Sequence, residues 1–265
     1  MKSITSRENA LYKELKQLAS SSQSRRKAGR TLLDGVHLCE AYLQHAGAPV
    51  LCIVSAASLS HAEVAATVEQ CDRMRTQCIA MPESLYQALS QVENGIGLLF
   101  VIDTPAIETP RVLSTPAVLL DNLQDPGNLG SILRSAAAAG IKQVFCSKGT
   151  VFAWSPKVLR AGMGAHFLLE IFESVDLAAL VAVSKIPVMA TSSHAERGIY
   201  EMDLRHPVAW LFGHEGQGVS EDLLARASCQ VRIPHAGQIE SLNVAASAAV
   251  CFFEQLRQTI ASSSA

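Results

Sequence analysis

The sequence predicts a two-domain α/β protein, and three observations carry that expectation. Short apolar runs that read as buried strands alternate with stretches of helical periodicity along most of the 265 residues. Residues 103–116, with Pro105, Pro110 and Pro116 and little apolar periodicity, interrupt the alternation. Hydrophobic residues make up 49% of the chain and charged residues 17%, which lets each half bury a core and excludes the disordered class. The domains are expected at 1–104 and 117–265, joined by a linker at 105–116.

Each element has its own signal. TSRENALYKELKQLAS, residues 5–20, opens with a capping residue and spaces Leu11, Leu15 and Leu18 as one face of an amphipathic helix with a basic outer side. SSSQSRRKAGR, residues 20–30, reads as an exposed loop. TLLDGVHLCEAYLQHAG reads as a strand and then a helix ending at Gly47. VLCIVS, QCIAM and GLLFVID are expected strands, with helices near 61–71 and 83–91. Beyond the linker come AVLLDN, a helix from about Gly130 to Ala139, KQVFCS, a helix at 156–162, FLLEIFE, a helix at 176–184, and PVMAT. VAWLFG, QVRIP and a helix from about Leu242 to Thr259 follow, and the tail ASSSA is expected to fray.

The net charge of −2 conceals an asymmetry. Residues 1–30 carry eight basic side chains against Glu8 and Glu14, a local +6 that leaves the remainder at −8. A basic end focuses positive potential and suits a phosphate backbone, although a solvated helix face explains the same charges equally well. No apolar run approaches the roughly 18 residues of a membrane span, and MKSITSRENALYK lacks a signal peptide's apolar core, so a cytoplasmic protein without membrane contact is expected. The seven cysteines include no C-x-x-C pair, which argues against a disulfide framework or a zinc site. Cys146 and Cys251 lie in apolar runs and read as small hydrophobes.

Three segments pair a strand end with a Gly, Asn or Pro turn and a helix start, the place where open α/β sheets bind ligands. They are LLDNLQDPGNLGSILRSAAAAG (119–140), WLFGHEGQGVS (210–220) and RIPHAGQIESLNVAASAAV (232–250). In the first, Pro126-Gly127 reads as a tight turn. Gly130 then opens a helix whose free amides can receive an anion, with Arg134 one turn on, facing Asn128 at the helix entrance. In the second, Gly213, Gly216 and Gly218 allow close backbone approach around Glu215. GHEGQG matches no dinucleotide or triphosphate loop, so a nucleoside is supported and a triphosphate is not. In the third, Ser241 and Asn243 offer polar groups at a helix entrance, where helix capping is the plainer reading. His214 and His235 are given no role, and no metal cluster or catalytic triad spacing is present in the sequence.

Taken in order, DNLQDPGNLGSILRSA, LFGHEGQGVS and RIPHAGQIESLNVAASAAV resemble the three motifs of the SpoU/TrmH family of RNA ribose 2′-O-methyltransferases. ITSRENALYKELKQL and RRKAGRTLLDGVHLCEA resemble the ribosomal-protein-like RNA-binding domain that many members carry, with Asp34 where the pattern usually has Glu. The resemblance implies a small α/β RNA-binding domain followed by an α/β domain of the SPOUT type, with a parallel sheet and a deep trefoil knot. It further implies a homodimer and S-adenosylmethionine as cofactor, with no metal. Arg134, Asn128, Glu215, Ser241 and Asn243 match the family's catalytic polar residues. Leu211, Gly213, Gly218, Ile233, Pro234 and Leu242 match its cofactor positions. Arg7, Lys13, Arg25, Arg26, Lys27 and Arg30 would grip RNA phosphates.

The implied reaction is attack of a ribose 2′-oxygen on the sulfonium methyl. Arg134 stabilises the developing alkoxide or serves as the base, and Glu215 orients Arg134 or a neighbouring amide. Ribosomal RNA is the first expected substrate and transfer RNA the alternative. The rivals are a non-catalytic RNA-binding protein of the same fold, a relative that methylates a base nitrogen, and an unrelated nucleotide-dependent enzyme.

Overall fold

The computed structural model describes residues 1–92 and 95–263, which form two compact units. One comprises Met1–Ala106 with Trp154–Phe167, and the other Ile107–Ala153 with the chain from Leu168 onward. The break falls at the start of the expected linker. The excursion of Trp154–Phe167 into the first unit lies within the expected 117–265 domain and has no counterpart in the sequence expectation.

The first unit holds β1 (Lys2–Ser3), α1 (Ala10–Ser20), α2 (Ser22–Ala28), β2 (Arg30–Asp34), α3 (Val36–His45), β3 (Leu51–Ser55), α4 (Ala62–Arg73), β4 (Gln77–Met81), α5 (Glu83–Tyr86) and β5 (Leu98–Asp103). Its sheet runs β1-β4-β3-β5-β2, parallel among the first three and antiparallel on both sides of β5. Tyr12, Leu15 and Leu18 bury the apolar face of α1 against Ile53, Ile79 and Val101. The segment expected as an exposed loop is helical instead. Ser21 caps α2 through its side chain, and Gly29 ends it at φ 61, a left-handed conformation that favours glycine. The helix expected over 83–91 is confined to α5. Trp154–Phe167 completes this unit: the Thr31 hydroxyl donates to the Trp154 carbonyl at 2.7 Å, and the Tyr42 and Phe167 rings meet edge to face at 5.2 Å.

The second unit contains β6 (Ala117–Leu120), α6 (Pro126–Ala138), β7 (Gln143–Ser147), β8 (Glu170–Val175), α8 (Leu177–Ala182), β9 (Val188–Thr191), β10 (Ala209–Phe212), α9 (Glu221–Arg226), β11 (Cys229–Val231) and α10 (Val244–Ser263); α7 (Pro156–Gly162) belongs to the excursion. The sheet order is β11-β9-β10-β6-β7-β8, and every pairing is parallel. One face is packed with Leu119, Phe145, Phe172 and Leu211. α10 packs against α6 and β10, with the Trp210 indole donating to Gln255 at 2.8 Å and Phe252 meeting Phe212 edge to face. Cys146 and Cys251 are buried, as small hydrophobes would be. The expected frayed tail is still helical through Ser263, and Ser264 and Ala265 lie outside the described residues.

From β6 the chain first builds outward through β7 and β8, and then crosses to build β9, β10 and β11 on the other side. The order therefore reverses between β6 and β10, and the loops leaving these two strands flank a crevice at the sheet's carboxyl edge. That crevice is the ligand position typical of open parallel sheets.

Candidate active site

α6 begins at Pro126, four residues before the expected start. Pro126-Gly127 is the first turn of the helix, since proline at the first position costs no hydrogen bond and Asp125 caps the end. The Asp125 carboxylate accepts from the Asn128 amide at 2.8 Å. The loop after β10 then reaches across: Glu215 accepts from the Asp125 amide at 2.8 Å, from the Gln124 amide at 3.1 Å and from the Asn128 side chain at 3.2 Å. The amides expected to receive an external anion at Gly130 are thus not there. Gly130 is buried inside α6, and two carboxylates of the chain itself already occupy the helix entrance.

Burial raises the Glu215 carboxyl pKa, but the hydrogen bonds from Asp125, its own amide, Asn128 and Gln124 together outweigh it and hold the group below the ordinary glutamate value. Its loop is tightly folded. His214 and Gly218 exchange backbone hydrogen bonds at 2.9 and 2.8 Å, and the His214 ring accepts from the Gly216 and Gln217 amides. Gly213 is required there, because a Cβ would lie 2.0 Å from the Gly218 carbonyl carbon.

Asn243 joins the third segment to the first two. Its side-chain carbonyl caps α10 by accepting from the Ala245 and Ala246 amides at 2.9 and 3.2 Å, and its side-chain amide donates to Asn128 at 2.9 Å. Asn243 therefore caps α10 and contacts the first segment at once. The fold brings Asn128, Glu215 and Asn243 into a single hydrogen-bonded series.

Arg134 stands apart from that series. It is exposed on α6, roughly 9 Å along the axis and about 120° around the helix from Asn128, so it does not face that residue. Among the described residues its guanidinium has no hydrogen-bond or ion-pair partner, and Glu215 orients Asn128 instead of Arg134. Ser241 is exposed, as are Pro234 and Leu242, while Ile233 is half-buried. Leu211 is fully buried within β10 and accepts from the Thr191 hydroxyl, so it supports the loop and does not line a surface. A cleft of about 500 Å³ lies beside the crevice, over Asn122, Lys148, Asp176 and His214, and includes only Gly218 of the expected cofactor positions.

The six basic residues expected to grip RNA divide in two. Arg25 is 6% exposed, and its guanidinium donates to the Leu18 and Ala19 carbonyls, fastening α2 to α1 where no phosphate can reach. Burial lowers its pKa. Arg30 pairs with Asp103 at 3.0 Å and Lys13 with Glu8 at 2.5 Å, while Arg7, Arg26 and Lys27 are exposed.

Sequence reasoning missed Gln124, whose side-chain amide ties the Asn122 and Gly149 carbonyls together, and His235. The His235 ring lies between two backbone carbonyls of the third segment. A histidine six positions before Ser241 was the available signal.

The family model described as the SpoU rRNA methylase family matches residues 115–253. An uncharacterised tRNA/rRNA methyltransferase of Synechocystis is 34% identical over 98% of this chain and 96% of its own length. The 23S rRNA (guanosine-2′-O-)-methyltransferase RlmB of Bordetella pertussis is 30% identical over 87% of this chain and 98% of its own. Among solved structures, an RNA 2′-O ribose methyltransferase superposes with a TM-score of 0.80 at 32% identity, covering 97% of this chain and 99% of that one. The SpoU methyltransferase AviRb from Streptomyces viridochromogenes, in complex with the cofactor AdoMet, gives 0.84 at 25% identity, covering 95% and 98%.

Proposed function

The chain belongs to the SpoU rRNA methylase family, and from that membership we propose that it transfers the methyl group of S-adenosylmethionine to a ribose 2′-hydroxyl of ribosomal RNA. The observation that carries this reading is the hydrogen-bonded series of Asn128, Glu215 and Asn243 at the crevice between β6 and β10. Relatives named as 23S rRNA 2′-O-methyltransferases favour ribosomal over transfer RNA.

The residues fit the cofactor. When bound, S-adenosylmethionine supplies an activated methyl on a sulfonium. Residues 234–242 are exposed and lie outside the sheet, and Ile239 and Leu242 among them offer apolar side chains, which suits the adenosine part of the cofactor. Gly213, Gly218, Ile233, Pro234 and Leu242 would hold it, with Leu211 supporting them from the core.

Asn128 has both polar atoms engaged, yet its amide retains one N–H and its carbonyl one lone pair for a ribose hydroxyl. Glu215 and Asn243 fix which way that amide points. Arg134 does not face Asn128 along α6, but its exposed guanidinium would stabilise the alkoxide developing at the 2′-oxygen while the proton passes to water or a phosphate. Ser241 shapes the same opening. Arg7, Lys13, Arg26, Lys27 and Arg30 hold RNA phosphates on the N-terminal unit.

A second copy covers α10, where Phe253 and Ile260 recur seven residues apart and are 47% and 58% exposed. The homodimer acts in the cytoplasm, where its substrate is assembled; no helix among the described residues is long and apolar enough to cross a membrane. The test is incubation with radiolabelled S-adenosylmethionine and, separately, ribosomal and transfer RNA from cells lacking the gene. A 2′-O-methylnucleoside from ribosomal RNA is expected. A labelled base, or label confined to transfer RNA, overturns the reaction or the substrate.

A further inference from the structure

Both ring nitrogens of His235 lie against backbone carbonyls: Nδ1 is 3.0 Å from the Ile233 oxygen and Nε2 is 2.8 Å from the Ile239 oxygen. A carbonyl oxygen only accepts, so each contact is a hydrogen bond only if the nitrogen facing it carries hydrogen. A neutral imidazole has one N–H and satisfies one carbonyl; the imidazolium has two and satisfies both. We propose that His235 is a positioning residue, whose protonated ring fastens the 233–239 turn and thereby presets the loop that delivers Ser241, Leu242 and Asn243 to the cofactor. The cofactor part of the proposal rests on the methyltransferase reading.

The loop has little else to hold it. Arg232 is tied to the neighbouring segment through its backbone, which exchanges hydrogen bonds with Arg197 and Ile199, and Asn243 is tied to Asn128. Between these anchors Ile233 is half-buried and residues 234–242 are exposed, and His235 spans the middle. With the ring in place, Asn243 both caps α10 and reaches Asn128, so the fastened loop is the one in which the candidate site is assembled. Holding it beforehand removes ordering entropy that binding would otherwise have to supply.

The charged groups around the ring are few. Arg232 and Glu240 share its segment, and Arg197 and Glu201 sit on the stretch joined to it by the Gly198–Arg232 bridge. Glu215 approaches the loop only through Asn128 and Asn243. Among the described residues no carboxylate lies within ion-pair distance of the ring, so the two carbonyls are its direct partners. Since the protonated form is the fastening one, cofactor affinity falls as pH rises through the histidine range.

The test uses the full chain and its His235→Ala and His235→Gln variants. S-adenosylmethionine affinity is measured by calorimetry at intervals from about pH 5.5 to 8.5, spanning the histidine range. Hydrogen exchange of the 235–243 peptide, corrected for intrinsic rates, is followed without cofactor over the same range. The ratio of wild-type to variant affinity cancels any titration of the cofactor itself. That ratio is expected to fall about three- to tenfold from acid to alkaline pH, the net worth of one typical intramolecular hydrogen bond. Loop protection should fall with it in the wild type and stay flat in both variants. A pH-independent ratio, or equal loop protection in wild type and variants at acid pH, overturns the proposal. If the wild type binds no S-adenosylmethionine at any pH, the proposed function fails, and the exchange data still decide the fastening.

Discussion

The side-chain amide of Asn243 donates to the side-chain carbonyl of Asn128 at 2.9 Å across 115 positions of sequence. The two residues head different helices, α10 and α6, so this bond sets the entrance of one against the entrance of the other. Replacing Asn243 by Asp keeps a capping oxygen but puts an acceptor opposite an acceptor, because Glu215 already fixes the orientation of Asn128. Asn243→Asp should lower kcat by tenfold or more with little change in thermal midpoint. Asn243→Ala should lose about 1 kcal/mol of stability as well. Paired kinetics and thermal melts check both.

Glu215 is stabilised as a carboxylate by the donors at the start of α6. Its folded pKa is depressed, so its contribution to stability is present at neutral pH and above the unfolded value, roughly 4.3, and is lost as pH falls through the folded value. Glu215→Gln should flatten the acid limb of the stability profile and lower turnover at neutral pH. Denaturant unfolding from about pH 3 to 7 reads this directly.

Arg134 has no partner among the described residues that folding would miss. Arg134→Ala should abolish methyl transfer while shifting stability by no more than about 0.5 kcal/mol and leaving S-adenosylmethionine affinity intact. Near-normal turnover in this variant would remove Arg134 from the chemistry.

Arg25 and its basic neighbours should part company. The combined Arg7 and Lys27 to Ala variant should weaken RNA binding and reduce its salt dependence, by roughly one slope unit per lost phosphate contact, without altering stability. Arg25→Ala should instead lower the thermal midpoint, since it removes the bonds to Leu18 and Ala19. Filter binding across a salt series, beside thermal melts, separates the two.

Gly213→Ala brings a methyl within 2.1 Å of backbone atoms of Gly218 and Val219, so the loop must open. A loss on the order of 1–3 kcal/mol is expected, with loss of cofactor binding.

The strand pattern of the second unit was legible because its strands are short apolar runs between turn residues, and AVLL, QVFCS, VMAT and AWLF all fall where periodicity puts them. The start of α6 was not. Pro126-Gly127 reads as a turn unless Asp125 is recognised as its cap, because proline serves both roles. The three consecutive basic residues at 25–27 suggested solvent on every side, whereas a helix there turns Arg25 inward. Asn128, Glu215 and Asn243 were legible as members of a site, but their mutual bonds depend on a strand order that reverses at β6 and β10. The role of His235 needed the positions of two carbonyls, which no side-chain pattern encodes.

The excursion of Trp154–Phe167 bears on how the chain is made. The N-terminal unit leaves the ribosome first, but Thr31 and Tyr42 find their partners only after Trp154 and Phe167 have been synthesised. A cut in the 105–116 stretch therefore yields a fragment with an open seam, and a transplant of the N-terminal unit must carry a second, distant piece of sequence. Vectorial synthesis thus couples completion of the first unit to the emergence of β6, α6 and β7, so the first unit cannot be finished before the second has begun.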